Sequence, residues 1–372
     1  MLKKKVLEVI RQGQIGGGES HLLDLVYYVD KTKIEPICLS FSHGEMISRL
    51  NKMGIKCYVI NTGRPFDIKV QKQIIKIIIE EDIQIVHAHG SRAASNVLYP
   101  AKKLRLPLVY TVHGWSFHDD QFFLVKKMRA WSEKLICYFS DEVICVSQSN
   151  EDTGRAVFGL KSAVVIENGV NLDRFNPKSS FHNLRADFGF ADSDFIVGFI
   201  ARCTKQKNPL VFLEAVRIAH TQNPQIKGLF VGEGDMDKEV DAYIDSNQMR
   251  DYVYRSPFRI DVPDLLNCID VYCLPSLWEG LSIALLEAMA MKKAIVATPT
   301  DGTKELIDNN VNGLVVPFDD PAAIAESCLR FYIDSNLKSA CSNAARKIVD
   351  ERFNAKRVAE SVQIVYDRIR DK

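Results

Sequence analysis

Two doubly wound α/β domains in series, each built on a parallel sheet, are the fold this sequence predicts. Three observations carry that reading. Short apolar runs of strand length alternate with helical patterns from end to end. The alternation pauses once, near the middle, in a polar stretch rich in turn residues. And 372 residues are enough for two domains, each with a core of its own.

In chain order, the first half shows strand patterns at Lys5–Ile10, Pro36–Ser40, Lys56–Asn61, Ile85–Ala88, Leu108–Val112, Glu142–Val146 and Ala163–Ile166. Helical patterns lie between several of them, among them Ile68–Glu81 and Phe122–Phe139. Asn168-Gly169-Val170-Asn171 then reads as a turn, and Phe175-Asn176-Pro177 leads into a polar stretch up to Ser193. The boundary is placed there, with a first domain over 1–177 and a second over 178–355. A fresh apolar run, Phe195–Ile200, restarts the alternation, followed by Gly228–Val231, Val271–Leu274, Ala294–Ala297 and Gly313–Val316. An amphipathic helix, Ala355 to Arg370, closes the chain. Sheets of this kind bind ligands beyond the carboxyl ends of their strands, so two of them in series predict a central cleft lined by residues that follow strands.

Bulk composition removes several classes. The chain is 47% apolar and 26% charged, with a net charge of +1, so nothing global points to nucleic acid. Residues 1–177 nevertheless carry about +5 (24 basic, 19 acidic) and the rest about −4, which suits a first half that meets something anionic. Nine cysteines, an odd number with no Cys-x-x-Cys pair, predict reduced, mostly buried thiols in a cytoplasmic protein. The start, Met1 to Ile10, has an apolar run broken by Glu8 and reads as a first strand, not a signal peptide. No segment approaches the roughly 18 uninterrupted apolar residues of a membrane span.

The chemistry concentrates after strands. Glu279 follows a Pro-Ser-Leu-Trp turn, and Glu287 is one of the few polar groups in a helix of Ala, Leu and Met. Their spacing is a little over two helical turns, which predicts that they share roughly one helix face and reach one ligand. Burying such carboxylates unpaired costs several kcal/mol, and the hydroxyls of a sugar or ribose are suitable partners. Arg202 and Lys207 flank the turn after Phe195–Ile200, with Asn208 and Pro209 reading as an N-cap and first helical residue. Two fixed cations there suit a departing diphosphate, which gains negative charge as its glycosidic bond breaks; taken alone, such a pair is more often solvated surface.

Other segments carry weaker signals. Gly16, Gly17 and Gly18 open a helix after the first strand, where backbone N–H groups approach an anion or a ring closely, or where the chain simply turns tightly. The spacing is not G-x-G-x-x-G and no acidic residue closes the next strand, which disfavours a nicotinamide cofactor. His113 lies just past a strand end, as a ligand-facing or a structural residue; His87 and His89 flank an earlier one. No histidine or carboxylate spacing marks a metal site. Gly232 begins another close-approach turn, and Phe258-Arg259 precedes a helix near Val262, where a backbone could meet a nucleotide base or merely form a loop. Phe122 to Trp131 mixes aromatic and basic residues, a pattern that fits an anionic membrane surface or a helix that covers a sheet.

Together these residues resemble the retaining glycosyltransferases of family 4, the group 1 glycosyltransferases of the GT-B fold, over essentially the whole chain. The likeness is most specific in Leu274-Pro275-Ser276 through Glu279-Gly280, in Glu287-Ala288-Met289-Ala290, in Ala294 to Thr298, and in Asn312 to Pro317. Asn168-Gly169-Val170 and the Arg202/Lys207 pair also match. Ser282, Asn171 and Thr303 depart from the residues frequent in the family, and none of the three changes removes a charged group that the implied mechanism needs.

The resemblance implies that Glu279 contacts the transferred sugar, Glu287 holds the ribose hydroxyls, and the backbone of Gly280, Leu281, Ser282 and Ile283 approaches the diphosphate. Arg202 and Lys207 neutralise that diphosphate, His113 stands beside the sugar, and Gly16 to Gly18 lie near phosphate and acceptor. Gly232, Phe258 and Arg259 complete the donor set. The closing helix, about 356–372, returns to the first domain. The implied reaction moves a sugar from a UDP-sugar, or a GDP-sugar, to an acceptor hydroxyl with retained configuration and without a metal or other cofactor. The acceptor class is a lipid-linked glycan of surface polysaccharide or lipopolysaccharide synthesis, met at the cytoplasmic membrane face. The competing readings are a sugar-nucleotide 2-epimerase of the same fold and a non-catalytic sugar-nucleotide-binding subunit.

Overall fold

A computed structural model describes residues 3–117 and 121–369. The chain divides into two compact units, one running to Gly169 and resuming at Ala355, the other Val170–Asn354. The first holds seven strands: β1 (Lys4–Ile10), β2 (Ile34–Ser40), β3 (Lys56–Val59), β4 (Ile85–His89), β5 (Leu108–Val112), β6 (Glu142–Cys145) and β7 (Val164–Val165). Their order is β3-β2-β1-β4-β5-β6-β7, every neighbouring pair parallel. The second holds six: β8 (Phe195–Ile200), β9 (Ile226–Val231), β10 (Val253–Ser256), β11 (Val271–Leu274), β12 (Ala294–Ala297) and β13 (Leu314–Val315). Their order is β10-β9-β8-β11-β12-β13, again all parallel.

Local sequence explains these elements. Helices cover both faces of a parallel sheet, so its strands read as continuous apolar runs, and Phe-Ile-Val-Gly-Phe-Ile of β8 is buried along nearly all its length. The Ile68–Glu80 helix buries Val70, Ile74, Ile77 and Ile78 at helical spacing, and Asp67 caps it by accepting from the Lys69 N–H at 3.0 Å. β10, Val-Tyr-Arg-Ser, escaped the sequence reading because an edge strand needs no apolar run.

Residues 170–177, assigned from sequence to the first domain, belong to the second unit. The Val170 N–H donates to the Phe353 carbonyl at 2.9 Å, and Phe175 is buried in the second core. The closing helix spans Ala355–Ile369 and packs on the first unit; Arg370 lies outside the described residues. Its anchor is polar as well as apolar, since the Tyr366 hydroxyl donates to Glu8 Oε1 at 2.8 Å in the middle of β1. Among the described residues, no helix is long and apolar enough to cross a membrane.

Strand order reverses between β1 and β4 in the first unit and between β8 and β11 in the second. At such a switch point the connections leave in opposite directions and open a crevice at the carboxyl edge. The glycine run follows β1 and His89 ends β4; Arg202 follows β8 and Glu279 follows β11.

Candidate active site

In the second unit the loops after β8 and β11 are tied together by backbone. The Leu277 N–H donates to the Gln206 carbonyl at 2.8 Å, and the Gln206 amide returns a bond to the Trp278 carbonyl at 2.8 Å. This stitch brings the short 3-10 turn Lys205–Lys207 against the Glu279 loop. Lys207 Nζ donates to Glu279 Oε1, and Ser276 Oγ donates to the same oxygen at 2.8 Å. Both charged side chains are mostly covered, 11% and 9% exposed. Arg202 stands exposed in the same β8 loop, with no ion pair among the described residues.

Two sequence expectations need correction here. Asn208 does precede the Pro209–Gln222 helix, but it adopts a left-handed conformation (φ 53°), and its amide donates to Asp319 at 2.7 Å instead of capping the helix. Glu279 and Glu287 do not share a helix face. The helix begins only at Ile283, where Ser282 caps it by accepting from the Leu285 N–H, so Glu279 lies in the preceding loop. Glu287 is buried on the helix itself.

The Gly280–Ile283 segment leads into that helix N-terminus, whose first N–H groups lack intrahelical acceptors and favour an anion. It is held from behind by Gly302, where an added Cβ would stand 1.9 Å from the Gly280 carbonyl oxygen. Gly232 is demanded by the fold: its φ is +145°, and a Cβ would lie 1.8 Å from the Ala201 oxygen, beside Arg202. Phe258 is partly exposed after β10, and the Arg259 guanidinium is engaged by Asp261 at 2.9 Å and by the Phe188 ring at 5.3 Å. Its side chain is therefore turned toward its own neighbours, which leaves backbone as what this segment offers.

The first unit carries its candidate residues at its own switch point. Gly16 is the N-cap of the Gly17–Tyr28 helix. No backbone strain requires glycine at Gly17 or Gly18: a Cβ on Gly17 would meet nothing within 4 Å, and one on Gly18 would touch the His113 ring at an ordinary 3.5 Å.

Beside this loop is a cluster that sequence spacing did not reveal, because its members come from different elements. Glu8 on β1 is buried; its Oε2 accepts from His89 Nε2 at 2.9 Å, and His87 Nδ1 lies 3.2 Å away. His87 Nε2 meets Thr111 Oγ1 at 2.7 Å. His89 Nδ1 lies 3.2 Å from His113 Nε2, and His21 Nδ1 lies 3.1 Å from Asn168 Oδ1. Burial raises the Glu8 pKa, but the His87 and His89 rings more than reverse that and hold it well below the usual carboxylate range. Burial, with neighbouring rings adding to it, pulls His21 down to about 3 and His89 to about 4, and carries His113 well below its ordinary value. Glu8 in an otherwise apolar strand was the available sequence signal, since a buried carboxylate requires partners.

The Phe123–Phe139 helix covers the sheet with Ala130, Glu133, Ile136 and Cys137. Glu133 locks that face, accepting from Tyr110 at 2.8 Å and from the Ser116 N–H at 3.1 Å. The opposite face exposes Leu124, Met128, Trp131 and Tyr138 at helical spacing, beside Lys127 and Lys134.

Two parallel-sheet Rossmann-like units in one chain are the architecture of the GT-B fold. Comparison with known proteins gives the family. The model described as "Glycosyltransferase Family 4" matches residues 15–174, and that described as "Glycosyl transferases group 1" matches 180–348. The chain belongs to this family, the group 1, family 4 glycosyltransferases. It is 28% identical over 316 residues to the UDP-Gal:alpha-D-GlcNAc-diphosphoundecaprenol alpha-1,3-galactosyltransferase of Escherichia coli, covering 82% of this chain and 81% of that one. It is 24% identical to the N-acetyl-alpha-D-glucosaminyl L-malate synthase of Bacillus anthracis, over 86% and 84% of the two chains. The crystal structure of Anabaena HepE in complex with UDP-glucose superposes with a TM-score of 0.86 at 22% identity, over 98% and 99% of the chains, which shows the shared fold.

Proposed function

We propose that this glycosyltransferase moves a sugar from a nucleotide-diphosphate donor, a UDP-sugar ahead of a GDP-sugar, to an acceptor hydroxyl with retention of anomeric configuration. The observation that carries the reading is the Lys207–Glu279 contact, with Arg202 in the same loop and a helix N-terminus following Glu279. Lys207, Arg202 and the N–H groups at Ile283 stabilise the diphosphate as the bond to the anomeric carbon breaks and the leaving oxygen gains charge. Glu279 accepts from hydroxyls of the transferred sugar, Glu287 from those of the ribose, and His113 bonds the sugar. The acceptor oxygen forms its bond on the face the diphosphate leaves, and its proton passes to a phosphate oxygen of the donor. No protein nucleophile takes part, and the two cations do the work a metal does in other transferases.

The acceptor we favour is a lipid-linked intermediate of surface-polysaccharide or lipopolysaccharide synthesis. Two things support that choice: the activity of the Escherichia coli relative, on a diphosphoundecaprenol-linked sugar, and the exposed Leu124–Met128–Trp131–Tyr138 face with its lysines. Such a face docks peripherally on an anionic leaflet. The test is release of nucleoside diphosphate from a sugar-nucleotide panel with and without lipid-linked acceptor, in EDTA. Acceptor-dependent release with an α-linked product supports the reading. Acceptor-independent epimerisation of the donor, or binding without turnover, overturns it.

A further inference from the structure

We infer that Glu8 and His89 are positioning residues that fix His113 in its Nε2–H tautomer and so reserve its Nδ1 lone pair for a donating hydroxyl. The inference rests on the reading that His113 bonds the transferred sugar, and it names the form in which the ring does so. Strand register builds the row. Glu8 on β1 pairs with His87 on β4, and His89, two residues on, pairs with Thr111 on β5. Side chains two positions apart share a face of a sheet, so Glu8, His87, His89 and Thr111 fall on one face, and His113 continues it past the end of β5.

Each hydrogen in the row has one place to go. The Tyr366 hydroxyl donates to Glu8 Oε1 at 2.8 Å, and an ionised carboxylate can only accept. His89 Nε2, 2.9 Å from Glu8 Oε2, therefore carries a hydrogen. Burial and the His87 ring pull His89 down to about 4, so near neutral pH it holds that one hydrogen and its Nδ1 is bare. His113 Nε2 stands 3.2 Å from this Nδ1 and must donate to it. Burial keeps His113 neutral as well, which leaves its Nδ1 as a lone pair. That nitrogen is buried and has no partner among the described residues, and a hydroxyl that donates to it removes the cost of leaving it unpaired. The ring as a whole is only partly buried, so the lone pair lies at the margin of the fold and not in its core.

His87 does not disturb the order, because its Nδ1 faces Glu8 Oε2 at 3.2 Å and its Nε2 meets Thr111 Oγ1 at 2.7 Å. A carboxylate behind an imidazole sets which nitrogen carries the hydrogen, and here it does so through one intervening ring. The consequence is selective: an acceptor-only His113 welcomes a sugar hydroxyl and gains nothing from a deoxy position.

Nitrogen-15 NMR of the histidine-labelled full chain at neutral pH reads the tautomers directly. The parent chain is expected to show His113 protonated on Nε2 and bare on Nδ1, with a scalar coupling across the N–H···N bond to His89 Nδ1. E8L removes the acceptor behind His89, so His113 should divide between its two tautomers and the coupling should fade. Turnover in E8L should fall about tenfold or more, with UDP affinity unchanged. Y366F loosens the closing helix but spares the Glu8–His89 bond, and should keep the single tautomer. Circular dichroism checks folding; if E8L does not fold, the parent spectrum decides. A hydrogen on His113 Nδ1 in the parent chain, absence of the coupling there, or a single Nε2–H tautomer surviving in folded E8L overturns the inference. Normal turnover of H113A would instead remove the sugar contact while the tautomer order stood, which separates the two readings.

Discussion

Lys207 and Glu279, 72 residues apart in sequence, meet in a largely buried ion pair that Ser276 completes from the carboxylate side. The pair exists because two loops of the second unit are joined by the Leu277 N–H donating to the Gln206 carbonyl and by the Gln206 side-chain amide donating to the Trp278 carbonyl. Removing one member of a buried pair leaves the other uncompensated, at a cost of about 3–5 kcal/mol. K207A is therefore expected to lower both the urea midpoint and kcat, the latter by orders of magnitude. K207M/E279L should regain much of the stability and none of the activity. Equal stability of K207A and the parent chain, with normal turnover, would contradict this reading.

Gly17 separates folding from function. Alanine there meets no atom within 4 Å and sits in the first turn of a helix, so G17A should stabilise the chain by about 0.5–1 kcal/mol. If bare backbone serves ligand approach, the same variant loses at least about tenfold in kcat/KM, close to 1.4 kcal/mol. Thermal melts and steady-state kinetics on one preparation check both halves.

Gly302 makes the opposite case. Its Cβ would collide with the backbone of Gly280 and Leu281, which cannot yield without moving the loop that carries Glu279. G302A is expected to cost about 1–3 kcal/mol and to raise the donor KM. Unchanged donor KM would argue against a role for the Gly280–Ile283 segment.

Glu287 is buried on the Ile283–Ala290 helix, beyond the loop that holds Glu279. Loss of its charged hydrogen bonds to ribose, at about 1.5–3 kcal/mol, should weaken nucleoside-diphosphate binding about ten- to a hundredfold in E287A. Calorimetric titration with UDP and GDP reads this directly, and unchanged affinity would remove the ribose assignment.

Membrane docking has its own readout. M128E/W131E changes only the exposed face of the Phe123–Phe139 helix, where Trp131 is 63% exposed. It should reduce co-sedimentation with anionic vesicles severalfold while leaving transfer to a water-soluble acceptor analogue unaffected. Equal sedimentation of parent and variant would move the contact elsewhere.

Much of the fold was legible in the chain because parallel strands announce themselves as apolar runs, and Leu108–Val112, Phe195–Ile200, Val271–Leu274 and Ala294–Ala297 have the bounds read from sequence. Cations after β8 and a carboxylate after β11 were legible for the same reason: strand ends locate them. Their direct pairing was not, since it depends on the Gln206 stitch, which no spacing encodes. The histidine cluster was hidden because β1, β4, the loop after β5 and the first helix each contribute one or two members. Gly232 was legible as a close-approach turn, whereas the approach of Gly302 to the Gly280 carbonyl is one that only the packed loops reveal.

Neutralisation of a diphosphate by Arg202 and Lys207 of the second unit is tested most directly by calorimetry with UDP and GDP against uridine and guanosine. One diphosphate is expected to bind the parent chain about a hundredfold or more tightly than its nucleoside, as two charge-assisted contacts would provide. This gap is expected to fall below about tenfold in R202A/K207A. Equal affinity for nucleoside and diphosphate in the parent chain, or a gap that survives loss of both cations, would contradict it.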